Sequence, residues 1–240
     1  MSNSMSHTIP ARLAAMLLAA AVLGSAALVL HASVAHADAS AARADAAAAQ
    51  VGPQELMESV SRRLFAALDA NRAAIIKNPQ KAYPLVDTIL LPHFDTEYAA
   101  QLVLAQTWRT ATPEQKKSFI DALYRALLRT YGGAIADFTA DRFKIEPLRG
   151  DADASQATVQ TTVTRASGAV IPVNYRVHKT PAGWKAFDVI IEGISYVKNY
   201  RTDLGAEISK KGLDAVIARL EHEGLETHIS TDKPATASKH

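Results

Sequence analysis

The chain of 240 residues contains no cysteine. Disulfides and thiolate chemistry are therefore both excluded, and the fold must rest on its packed core alone. Charge of one sign is also lacking: 26 Lys and Arg face 24 Asp and Glu, a formal net charge of +2. A balance so close to neutral gives no bulk attraction to nucleic acid or to an anionic membrane. No phosphate-cradling glycine loop occurs, and basic residues do not interleave with aromatics as they do on nucleic-acid surfaces. After residue 37 no apolar run is long enough to span a bilayer.

Metal and nucleophile motifs are incomplete. His222-Glu223 with His228 lacks the four-residue histidine spacing that puts two ligands on one helical face, and Gly224 lies between them. Asp151-Ala152-Asp153 opens like a calcium loop, but Gln156 and Thr162 stand where glycine and an acid are required. Arg149-Gly150-Asp151 is better read as a hairpin turn than as an adhesion tripeptide. Asp137 and Asp141 read as a solvated helix end. Gly193-Ile194-Ser195, between an apolar run and a helix-like segment, has the outline of a nucleophile elbow, but Val197 replaces the second glycine. The residues supply no complete catalytic constellation and no metal site, which points to binding rather than catalysis.

What is present begins with Arg12, an uncharged run from Leu13 to Leu30, and Ala35-His36-Ala37 before Asp38. This has the form of a secretory signal peptide over 1–37, with cleavage expected after Ala37 and a retained anchor as the alternative. Removing it takes away Arg12 and no acid, so the formal charge moves from +2 to +1 and roughly 200 residues remain, one domain by size. An alanine-rich leader, 38–52, and a polar tail, 225–240, flank a domain predicted at 53–224.

Helical periodicity fills the first half of that domain. Pro53 opens a helix with Leu56, Val60, Leu64, Ala67 and Leu68 on one face, ended by Asn78-Pro79. A short apolar helix (Leu85, Val86, Ile89, Leu90) lies between Pro84 and Pro92, and another runs from Asp95 toward Trp108. Thr112-Pro113-Glu114-Gln115 is a capping box with proline at the first helical position. Phe119, Leu123, Leu127, Tyr131, Ile135 and Phe138 continue from it as a stripe, with Gly132-Gly133 as a point of bending.

Beyond Asp141 the period becomes two. Strands are predicted around Phe143 and Ile145 (with Leu148), around Val159, Thr161 and Val163, from Ile171 to Val177, and from Phe187 to Ile191. Turn signals separate them at Gly150-Asp151, Ser167-Gly168 and Pro181-Ala182-Gly183. Short links make this an antiparallel meander with one buried face. Helices around Leu204–Ile208 and Leu213–Leu220 follow, stopped at Gly224. The expected class is α+β: a helical half packed on a four-stranded antiparallel sheet, with an apolar pocket between them.

Ordered short motifs carry a resemblance. Leu91-Pro92-His93-Phe94-Asp95, Trp108-Arg109, Thr112 to Phe119 and Thr130-Tyr131-Gly132 resemble the helical half of the MlaC family, also called the toluene-tolerance family of auxiliary ABC-transport proteins. Val189 to Ser195, Asn199-Tyr200-Arg201 and Gly212-Leu213-Asp214 are similar to its C-terminal part. Thr96 stands where such proteins often have an aromatic, and Leu104-Ala105 where they have Leu-Gly.

The resemblance implies a non-enzymatic periplasmic carrier that holds a phospholipid by its acyl chains and needs no other cofactor. Its partners would be an outer-membrane lipoprotein–porin assembly and an inner-membrane ABC transporter presenting an MCE-domain ring. A hopanoid or other polycyclic lipid is the alternative cargo, and a non-catalytic interaction protein a further alternative. The expected lining is the inward set Val159, Val163, Ile171, Val173, Tyr175, Val177, Phe187, Val189 and Ile191, faced by Leu123, Leu127 and Tyr131. On this reading Ser195 is a cap or turn hydroxyl.

Overall fold

In the computed structural model the described residues are 51–131, 139–149, 154–165 and 167–225. The signal peptide, most of the leader, Gly132-Gly133, Ile135, Asp137, Phe138, Gly150-Asp151, Asp153, His228 and nearly all of the tail lie outside them.

Helix α1 spans Pro53–Lys77, with proline in its first turn and Asn78 as its C-cap. The Asn78 side chain then accepts a hydrogen bond from the Gln80 N–H at 3.0 Å, which starts the next turn. Met57, Val60, Leu64, Phe65 and Leu68 are its buried face. The segment from Pro84 to Pro92 is not one helix. It is a chain of single turns, Pro79–Ala82, Tyr83–Leu85, Val86–Leu90 and Leu91–His93. Prolines at 79, 84 and 92 remove the amides that a continuous helix needs.

Helix α2, Thr96–Leu104, is capped by Asp95, whose carboxylate accepts from the Tyr98 N–H at 2.9 Å. It stops at Ala105, and α3, Gln106–Thr110, starts anew. Ala105 has φ +51 and ψ −113, a backbone conformation that favours glycine. Ala105→Gly is therefore expected to stabilise the protein by about 1 kcal/mol, a rise of roughly 2–4 °C in the melting temperature. A lowered melting temperature would show that the alanine methyl makes packing contacts worth more than the strain.

Helix α4, Pro113–Tyr131, begins with the reciprocal pair read from sequence. The Gln115 N–H donates to the Thr112 hydroxyl at 3.2 Å, and the Thr112 N–H to the Gln115 side chain at 3.0 Å. At the other end Arg129 donates to the Leu220 and Glu223 carbonyls, and the Thr130 hydroxyl accepts from the Leu225 N–H at 2.7 Å. These contacts bind α4 to the end of α6, Leu213–His222. Between them α5 runs Tyr196–Lys211, broken from α6 by Gly212 at φ +83. A bidentate Arg219–Glu207 pair, with contacts of 2.6–3.1 Å, joins the two helices.

The sheet has five strands in the order β1-β2-β3-β4-β5, all antiparallel: Phe143–Ile145, Gln156–Thr164, Val170–Thr180, Gly183–Ile191 and Ile194–Ser195. Four strands were expected. The fifth is the two-residue return of the β4 end on itself, where Gly193 at φ +85 reverses the chain. Gly168 and Gly183, at φ +83 and +97, supply the β2–β3 and β3–β4 turns that the sequence marks.

Register decides the faces. Val159 pairs with Tyr175, Thr161 with Val173 and Val163 with Ile171; Tyr175 pairs onward with Val189 and Val173 with Ile191. These residues form one inner row, while Thr158, Gln160, Pro172 and Asn174 form the wetter row. The inner row and the buried faces of the helices make one contiguous hydrophobic cluster. The arrangement is α+β, as the change of period predicts.

Candidate functional site

The inner row of the sheet is the candidate site. Val159, Val173, Tyr175 and Val177 are at most 1% exposed, and Val189 and Ile191 at most 4%. Toward the β2–β3 turn the row opens: Ile171 is 9% exposed and its cross-strand partner Val163 is half-buried. Thr161, in the middle of the row, has its hydroxyl satisfied within the sheet. Its Oγ1 donates to the Val173 carbonyl at 2.5 Å, so its methyl is left to face the core. Of the expected lining, these eight side chains (Val159, Val163, Ile171, Val173, Tyr175, Val177, Val189 and Ile191) share one side of the sheet.

Phe187 does not. The β3–β4 register slips between Arg176 and Val177, so Arg176 pairs with Asp188 and Val177 with Ala186, which leaves Phe187 as the extra residue of a β-bulge. Its ring packs edge-on to Tyr98 and His178, at centroid distances of 5.1 and 5.2 Å, and the Arg176 guanidinium lies 4.8 Å over it. Arg176 and His178 belong to the opposite row, and Phe187 is outside the main hydrophobic cluster. The expectation that Phe187 lines the inner row is corrected. One inserted residue moves a side chain to the other face, and hydrophobic alternation alone cannot reveal the insertion.

From the helices, Leu123 and Tyr131 are buried in the same cluster as the inner row, and Leu127 packs against it half-buried. The long helix α4 nevertheless packs mainly along α6 and then α2, more than on the sheet. Tyr131 is held by its hydroxyl, 2.7 Å from that of Tyr200 on α5, and Tyr196 packs 6.0 Å from the Tyr200 ring.

Burial raises the phenols of Tyr124, Tyr131, Tyr175 and Tyr200 above the ordinary tyrosine value, and pushes that of Tyr196 up to about 12. These groups are neutral across physiological pH, so the interior carries no phenolate charge. Each native value lies above the unfolded value of about 10. The stability linked to them is therefore complete below that pH and declines as pH rises toward the native values. An absorbance titration should show most phenols ionising together with unfolding. A full ionisation step near pH 10 in the folded protein would contradict this burial.

Asp188 organises the corner that follows β4. Its carboxylate has no solvent exposure. It accepts from the Ser195 hydroxyl at 2.6 Å and from the Val197 N–H at 3.1 Å, with Arg176 at 3.7 Å. Ser195 in turn accepts from the Lys198 N–H at 3.2 Å and is the N-cap of α5. The polar partners of Ser195 are thus a carboxylate and a backbone amide, with no histidine among them, so the elbow reading fails on geometry. A second polar contact, His178 to Asp95 at 2.9 Å with Tyr98 stacked 4.6 Å away, ties β3 to the start of α2. Sequence reasoning missed Asp188 and Asp95 as partners. The available signal was a single acid inside the apolar run Phe187–Ile191. Among the described residues no group of His, Cys, Asp or Glu is placed to hold a metal ion.

An apolar sheet face closed by helices is a geometry for binding apolar matter. The sequence profile of the MlaC protein family matches residues 58–222. The chain belongs to the MlaC family. Toluene tolerance protein ttg2D of Pseudomonas putida is 30% identical over 163 residues, 68% of this chain and 75% of that relative. The intermembrane phospholipid transport system binding protein MlaC of Haemophilus influenzae is 24% identical over 185 residues, 75% of this chain and 86% of that one. Among solved structures, the phospholipid-binding protein of Ralstonia solanacearum, determined in complex with a phospholipid, is 29% identical with a TM-score of 0.67. That match covers 71% of this chain and 96% of the other. The MlaC-family architecture here therefore extends over both the helical half and the sheet. No helix among the described residues is long and apolar enough to cross a membrane.

Proposed function

We propose that this MlaC-family chain is a non-enzymatic periplasmic phospholipid carrier, exported by the signal peptide at 1–37 and folding as one domain over 53–224. The observation that carries the reading is the structural relative that holds a phospholipid, which this chain matches in fold over 96% of that relative's length. The acyl chains would lie against Val159, Val163, Ile171, Val173, Tyr175, Val177, Val189 and Ile191, with Leu123, Leu127 and Tyr131 opposite. The packing of α4 on its neighbouring helices rather than on the sheet supports that placement.

The energetics suit a shuttle. Burying about thirty methylenes at about 0.8 kcal/mol each gives on the order of 20 kcal/mol relative to water, near the ceiling for non-covalent binding. A bilayer offers the same chains a similar gain, so exchange between membrane and carrier is nearly balanced. The carrier removes the aqueous barrier, and release depends on a partner rather than on hydrolysis. The partners on this reading are an outer-membrane lipoprotein–porin assembly and an inner-membrane ABC transporter with an MCE-domain ring.

Mass spectrometry of the purified exported protein, native and after organic extraction, tests this. A bound mass matching phospholipid, released only on denaturation, is expected. A polycyclic lipid in its place would keep the carrier and change the cargo, and an apo mass would overturn the reading.

A further inference from the structure

The inner row of β2 does not end with Val163. Two residues on, at the same period, comes Arg165, whose N–H donates to the Ala169 carbonyl at 2.8 Å and whose carbonyl accepts from the Gly168 N–H at 2.9 Å. A hairpin of this form holds the Arg165 backbone in register with the ladder, so its side chain continues the inner row. It stands beyond the Val163–Ile171 pair, at the end where the apolar row opens.

Its guanidinium is in an unusual position. The Nε and Nη2 atoms are shut off from solvent, and neither has a hydrogen-bond partner among the described residues. An arginine does not lose its charge by deprotonation, so two buried donors without acceptors leave an unmet demand for an anion. Their planar fork matches the paired oxygens of a phosphate. Elsewhere on the sheet and helices Arg176 lies beside Asp188, Arg129 binds carbonyls, and Arg219 pairs with Glu207.

We propose that Arg165 is the residue that binds the phosphodiester of the lipid head group and gives the site its selectivity for phospholipids over uncharged lipids of the same chain length. This rests on the carrier reading. The apolar row then takes the acyl chains, and the orphaned fork at its open end takes the one charge that every phospholipid shares. Serine, ethanolamine or glycerol substituents would project past it, so the selectivity is for the phosphate and not for the head-group alcohol.

The test loads delipidated protein from vesicles holding equal amounts of phosphatidylglycerol and of diacylglycerol with identical chains, then measures the bound ratio by mass spectrometry. Wild type should favour phosphatidylglycerol by about tenfold or more, the value of one charge-assisted hydrogen bond. Arg165→Leu should bring the ratio near one by lowering the phosphatidylglycerol signal alone, and Arg165→Lys should fall between. Because the leucine variant replaces an unpaired buried charge with an apolar group, its delipidated form should melt no lower than wild type.

An unchanged ratio in Arg165→Leu overturns the proposal, and so does an equal loss of both lipids, which would mark a structural role. A wild type that loads neither lipid fails the carrier reading itself, and is recognised without any variant. Inorganic phosphate supplies the remaining arm. A phosphorus-31 shift with delipidated wild type that vanishes in Arg165→Leu, without any phosphatidylglycerol preference, would assign the fork to free phosphate and overturn the lipid assignment.

Discussion

Asp188→Ala is expected to destabilise the protein by about 3–5 kcal/mol, the range for breaking a buried charged network by removing one partner. The carboxylate is fully enclosed and accepts two hydrogen bonds, from the Ser195 hydroxyl and the Val197 N–H, while facing Arg176. Alanine would leave the Val197 amide without an acceptor at the start of α5 and the serine hydroxyl without its anchor. The Arg176 contribution is the smaller part, because that side chain is 36% exposed and is stacked on Phe187.

For a domain of this size the loss corresponds to a fall of roughly 6–20 °C in melting temperature. Ser195→Ala should cost only about 1 kcal/mol, since Asp188 would still hold the Val197 amide. Thermal or urea unfolding of the two variants checks the order. Equal losses would mean that the serine, and not the carboxylate, carries the corner. A fall of less than about 1 kcal/mol for Asp188→Ala, an ordinary surface value, would show that water replaces the carboxylate.

The second large effect concerns cargo. Val163→Phe together with Ile171→Phe places two rings across one ladder pair, at the β2–β3 end of the inner row where Val163 is half-buried. Displacing about four methylenes of acyl chain at about 0.8 kcal/mol each removes roughly 3 kcal/mol of binding. Lipid retention should then drop on the order of 100-fold. Overpacking at this partly open position should cost the apo protein no more than about 1–3 kcal/mol. Lipid content measured by extraction, set beside the apo melting temperature, separates a blocked site from an unfolded one. Undiminished lipid in a folded double variant would remove this end of the row from the lining.

Both predictions depend on features that differ in how legible they were. Thr112 with Gln115 and Asn78 announce helix ends because a cap is a bond between residues three or four apart, as is the Ser195–Lys198 bond, and Pro53 marks a start because a first turn needs no N–H there. The alternation of Val159, Thr161 and Val163 against Thr158, Gln160 and Thr162 reveals a half-buried strand because side-chain direction in a strand is local. The glycine-preferring backbone at Ala105 was foreshadowed by Leu104-Ala105 standing where the family has Leu-Gly. The break itself, which splits one expected helix into α2 and α3, was not.

What the sequence by itself determined is the order of elements, their period and caps, the α+β class and the absence of thiol chemistry. Each follows from short-range stereochemistry or from composition. Tertiary structure alone decided the rest. The bulge that turns Phe187 to the far row is set by pairing with β3, and the fifth strand by the return of the chain on β4. The enclosure of Asp188 beneath the start of α5 and the isolation of the Arg165 guanidinium depend on groups brought together by the whole fold. Burial and pairing are properties of neighbours in space, and an arginine in a chain looks the same whether or not an acid awaits it.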